Sequence, residues 1–106
     1  MNITYKTPEA ENNHMDYEVA GNKITFGDDE LTLNLSRYEQ DDPKHIDICS
    51  DTTGCLVMGT STGRKYVAEI DIPARQYTEE TQGDEITVVP VPFNINNCAL
   101  TLWALD

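Results

Sequence analysis

His45, Asp47, Cys49 and Asp51 stand at every second position of one short segment, with Ile46 and Ile48 between them. In an extended strand that spacing sends the four chemistry-bearing side chains to one face and the isoleucines to the other. Same-face neighbours then lie roughly 6.5–7 Å apart, so adjacent pairs can converge on one cation. Imidazole, thiolate and carboxylate are all ligands for divalent metals. Glu69 and Asp71 occupy the polar face of a second candidate strand and join the group if the two strands pair. The spacing matches no established metal signature, and the same alternation describes the solvated face of any antiparallel sheet. A divalent metal is therefore the one cofactor the sequence admits, and nothing in the sequence requires one.

Other chemistry fares worse. Carboxylates flank Cys49 and disfavour its thiolate, whereas reactive thiols sit in electropositive surroundings. Gly54 to Ser61 has the glycine spacing of a phosphate-binding loop, yet Thr60 stands where the lysine is required. The interior of that stretch, Cys55-Leu56-Val57-Met58, is apolar and strand-like, and no helix follows to receive a phosphate. Acidic pairs such as Asp41-Asp42 and Glu79-Glu80 fall in turn-like contexts, while a catalytic carboxylate pair must face across a cleft. An enzyme active site is not expected.

The elements that would position these residues are extended. Leu31-Thr32-Leu33-Asn34-Leu35-Ser36 alternates apolar and polar residues with a period of two, the mark of a half-buried strand. Ile3–Lys6, Asp16–Val19, Lys23–Phe26, 31–37, His45–Ser50, Cys55–Met58, Lys65–Ile72, Arg75–Thr78, Ile86–Val91 and Cys98–Leu105 all read as strands. Gly21-Asn22 is a hairpin turn, and 79–84 reads as a polar turn. Alternation in the seventh segment assigns Tyr66, Ala68, Ile70 and Ile72 to one face, with Val67 breaking the polar pattern of the other. Thr7-Pro8-Glu9-Ala10-Glu11 starts a helix of one or two turns, with Thr7 as cap and Pro8 at the first helical position. Pro90 and Pro92 confine their strand to a sheet edge or break it. The expected fold is one all-β domain over residues 1–106, a small antiparallel sandwich or partly open barrel with at most one or two short helical turns.

Nineteen acidic against seven basic residues give a formal charge of −12. Such a surface repels phosphate backbones and anionic bilayers, so neither direct nucleic-acid binding nor membrane binding is expected. The first eight residues lack a basic segment followed by an apolar one, and no run is long enough for a membrane helix. Three sparse cysteines, Cys49, Cys55 and Cys98, argue against a disulfide scaffold, although Cys49 and Cys55 are close enough in sequence to pair. Together these readings point to the cytoplasm.

The C-terminal segment is apolar on both faces, Leu100 and Leu102 on one, Ala99, Trp103 and Leu105 on the other. Leu100, Leu102, Trp103 and Leu105 are accordingly the expected contact residues for another chain. The function expected from these features is that of a non-enzymatic binding or assembly module, self-associating or docking into a larger complex. Two other classes remain open: an acidic decoy for a nucleic-acid-binding protein, and a metal-binding module or enzyme using the His45, Asp47, Cys49, Asp51 face.

Overall fold

The computed structural model describes residues 1–105. It is a two-layer β structure with an additional projecting ribbon, and it is not a closed barrel. The larger layer is a five-stranded sheet. Its strands are β1 (Asn2–Tyr5), β10 (Ala99–Leu102), β7 (Lys65–Ile72), β5 (Lys44–Ser50) and β6 (Leu56–Met58), in that order across the sheet. The smaller layer is a meander of β2 (Tyr17–Ala20), β3 (Lys23–Phe26) and β4 (Leu31–Asn34). β8 (Tyr77–Gln82) and β9 (Glu85–Pro90) pair only with each other.

The core lies between the two layers. Ile24, Phe26, Leu33 and Leu35 meet Ile46, Ile48, Ala68, Ile70, Ile72, Leu100 and Leu102, and all are buried. This is the inward row that period-two alternation predicts. Local turns fix the register of the meander. Gly21, with φ +60°, opens the two-residue turn between β2 and β3, a conformation natural to glycine.

The expected strand over 31–37 is shorter than its leucine pattern. Asn34 Oδ1 accepts from the Ser36 backbone N–H at 3.2 Å, so the chain turns into a single 3-10 turn at Leu35–Arg37. Leu35 still reaches the core from that turn. Pro8–Glu11 is likewise one 3-10 turn, and a third spans Ile95–Asn97. Thr7 sits at the cap position, but its side chain makes no capping bond. β1 joins β10 in parallel, the one parallel pair among otherwise antiparallel ladders of the described residues.

Strict alternation fails once, and the failure has consequences. Ile48 pairs with Ala68 while the next residue, Cys49, pairs with Tyr66, so Val67 has no partner on β5. This β-bulge shifts the phase of β7 by one residue. Val67 joins the core beside Ala68. Tyr66, predicted on the inner face with Ala68, Ile70 and Ile72, instead stacks on Trp103 with ring centroids 4.6 Å apart.

Leu100 and Leu102, expected at an interface with another chain, are fully buried within this one. The reason is the small sheet, which covers the face of β10 that carries them. Trp103 and Leu105 lie beyond the end of β10 and are partly exposed. Truncating Leu102 to alanine should therefore cost about 2–5 kcal/mol of unfolding free energy, equally at every protein concentration in a urea titration. A cost that grows with concentration would place Leu102 at a subunit contact instead.

Candidate functional site

β5 and β7 pair so that His45 lies opposite Asp71 and Asp47 opposite Glu69. The four polar side chains share the outer face of the large sheet, because their neighbours Ile46, Ile48, Ile70 and Ala68 fill the inner one. His45 is the hub. Its Nδ1 lies 2.6 Å from Asp71 Oδ1, its Nε2 2.8 Å from Asp47 Oδ1, and Glu69 Oε1 is 3.5 Å from the same Nε2. Only the imidazolium form can donate from both ring nitrogens at once. The hydrogen bond to Asp71 raises the His45 pKa most, the bond to Asp47 adds to this, and partial desolvation opposes it.

Glu69 is held from a second side, since the Trp103 indole N–H donates to its Oε2 at 2.8 Å. The Lys6 ammonium lies 5.1 Å from the centre of a Trp103 ring, within range of a cation–π contact. Like charges directly across a ladder repel, so Asp47 and Glu69 need this surrounding of positive charge and donors. Nε2 of His45 and carboxylate oxygens of Asp47 and Glu69 lie within 4.8 Å of one another. A divalent cation can take that nitrogen only when it carries no proton. As the structure stands, the cluster is a charge clamp across two strands.

Of the four residues singled out in the sequence, only His45 and Asp47 belong to this cluster. Cys49 is 2% exposed. The 59–64 loop covers it so closely that a Cβ on Gly63 would stand 2.5 Å from the Cys49 Cβ. Burial, followed by the charges of Asp47 and Glu69, pushes its thiol pKa up. Asp51 lies past the end of β5 and organises the turn to β6. Its Oδ1 accepts from the Thr53 hydroxyl at 2.7 Å and from the backbone N–H of Thr53 and Cys55 at 2.8 and 3.0 Å. The Thr53 hydroxyl contributes most to holding the Asp51 carboxyl below its ordinary range. All three cysteines are free thiols.

Beside the cluster, at the Lys65 end of β7, is a hollow of about 610 Å³. The stacked Tyr66 and Trp103 rings, with Ala104 and Leu105, form its apolar part, and Arg64 and Lys65 stand on its rim. Trp103 and Leu105 thus keep a place at an accessible surface, unlike Leu100 and Leu102.

A further surface escaped the sequence reading. Residues 79–82, expected in a turn, continue β8, and the chain reverses only at Gly83-Asp84, where Gly83 has φ +64°. Tyr77, Glu79 and Thr81 share one face of the ribbon with Pro90, Val88 and Ile86 opposite them. Tyr77, Ile86 and Val88 are 48%, 65% and 60% exposed. No residue of either strand enters the core or packs against it. At the base, Val91 N–H donates to Gln76, Arg75 N–H to Gln40, and the Arg75 guanidinium to the Glu39 carbonyl. The Tyr77 hydroxyl donates to Asp41. The signal available in the sequence was Thr78-Glu79-Glu80-Thr81-Gln82 itself: a strand with no apolar residue on either face cannot be placed in a core.

The raised pKa of His45 has a sign that can be measured. In the unfolded chain the group titrates near its ordinary value of about 6.5, and in the fold it titrates above that value. Its stabilising contribution is therefore complete below about pH 6.5, while the carboxylates stay ionised, and is lost as pH rises through the folded value. Urea midpoints of the wild type and His45→Gln should differ most near pH 5.5 and converge as the pH climbs. With the imidazole 45% exposed, the gap should stay below about 1 kcal/mol, and parallel curves would remove His45 from the stabilising set. Comparison of the chain with protein-family models, curated proteins and solved structures finds no match.

Proposed function

We propose that this chain is a non-enzymatic assembly module that docks into a protein complex through the β8–β9 ribbon. The observation that carries the reading is the exposure of Tyr77, Ile86 and Val88 on one face of a ribbon that packs on no core. A lone two-stranded ribbon is at best marginally stable in water, and burying a valine or isoleucine side chain contributes about 1.5–3 kcal/mol. Covering this face with another protein supplies the stabilisation its own sandwich does not.

The shape of the molecule accords with such an arm. Its Cα radius of gyration is 16.6 Å, against about 13 Å for a compact chain of this length. Its longest dimension is 60 Å, more than twice either of the others. The ribbon carries Glu79, Glu80, Asp84 and Glu85 and no basic residue, so the receiving surface is expected to join apolar side chains to a basic rim. The outer-face cluster is engaged across β5 and β7, its imidazole lying against the carboxylates of Asp71, Asp47 and Glu69.

The ribbon's independence is directly testable. Ile86→Asp combined with Val88→Asp should leave the urea midpoint of the dilute protein unchanged within about 0.5 kcal/mol. Backbone amides of β8 and β9 should exchange with solvent much faster than those of β5 and β7. A loss above about 2 kcal/mol in the double variant, or ribbon amides protected like the core, would mean that the arm is packed on its own sandwich and would overturn the proposal.

A further inference from the structure

The occupant of the ribbon's apolar face can be named from charge and position, given the docking role proposed above. We infer that the ribbon of one copy seats in the Trp103 hollow of the next, so that copies associate head to tail. Arg64 and Lys65, two of the chain's seven basic residues, line that hollow, and a third, Lys6, holds its ammonium 5.1 Å from the centre of a Trp103 ring. The Arg64 side chain has no ion-pair partner among the described residues. No Lys, Arg or His follows Arg75, so the ribbon has acidic charge alone to bring to a contact. The hollow sets its apolar rings beside basic side chains, and the ribbon sets Tyr77, Val88 and Ile86 beside carboxylates, with Glu79 on the same face opposite Val88.

The two surfaces lie at opposite ends of the same strand. The hollow is lined by Lys65 and Tyr66, where β7 begins, and the ribbon starts five residues beyond Ile72, where β7 ends. Eight residues of strand separate those ends by roughly 25 Å, so one copy does not fold its own ribbon back into its own hollow. Two different patches meeting in this way make a heterologous contact, which repeats into a ring or an open chain rather than stopping at a twofold dimer. At an ionic strength of about 0.15 M the screening length is about 8 Å, so the repulsion between acidic copies is largely confined to charges near the contact.

The test is light scattering and sedimentation of the whole protein across a concentration series at that ionic strength. Wild type should form species larger than a dimer as concentration rises. Ile86→Asp with Val88→Asp, which alters only the ribbon, and Arg64→Glu, which alters only the hollow, should each weaken association at least tenfold. Mixing these two variants leaves one intact ribbon and one intact hollow, so the mixture should form 1:1 dimers and nothing longer. Arg37→Glu, on a different basic surface, should behave as wild type. A wild type that stays monomeric to about 1 mM, or a dimer that neither variant weakens, would overturn head-to-tail docking. Either result differs from protected ribbon amides in dilute protein, which would instead sink the docking role of the ribbon.

Discussion

Where β5 places Ile48, β7 opposes it with one residue too many, and the outer surface of the large sheet follows from that insertion. The bulge carries Val67 inward to join Ala68 in the core, and by the same half-turn brings Tyr66 outward onto Trp103. Trp103 N–H donates to the Val67 carbonyl at 3.1 Å, so the displaced backbone itself holds the residue that closes the hollow. The indole then reaches Glu69, and Glu69 lies against His45. Without the extra residue, Tyr66 would face the core and the Trp103 ring would lose its stacking partner.

Two ways of handling charge on a very acidic chain sit side by side. On the sheet, carboxylates from adjacent strands are drawn together around the His45 ring and one indole N–H. On the ribbon, four carboxylates are strung along an arm with no base of its own. The first arrangement is satisfied internally and stitches β5 to β7. The second is satisfied by solvent or by another molecule, and its neighbouring apolar row favours another molecule. The burial pattern, more than the acid count, separates the structural cluster from the surface proposed for assembly.

Much of the sandwich was legible because period-two patterns are local. The leucine and isoleucine rows of β3, β4, β5 and β7 point inward as their alternation predicts, and Gly21-Asn22 marks its turn. The pairing of His45 and Asp47 with Asp71 and Glu69 was foreseen as conditional on strand pairing, and the ladder meets that condition. What escaped depended on contacts distant in sequence. Nothing local tells that β10 is covered by β2–β4, which turns Leu100 and Leu102 from candidate contact residues into core. The bulge at Val67 is visible only against its partner strand, and it undid the face assignment of Tyr66. Cys49 lies on the expected strand, yet the close approach of Gly63 removes it from solvent. Glu79 to Gln82 looked like a turn because their polarity suits one, and only the pairing with β9 makes them a strand.

The parallel pairing of β1 with β10 carries a kinetic cost. Asn2 donates its side-chain amide to the Cys98 carbonyl across 96 residues of sequence, so one border of the large sheet stays open until the opposite end of this stretch arrives. Bringing together ends so far apart costs about 4 kcal/mol in loop entropy before any contact repays it, and such topologies fold slowly. The meander, built from neighbours in sequence, is free to organise early and offer its apolar side as a template. β1 finds its ladder partner only in β10, so its pairing waits on the far end of the sequence.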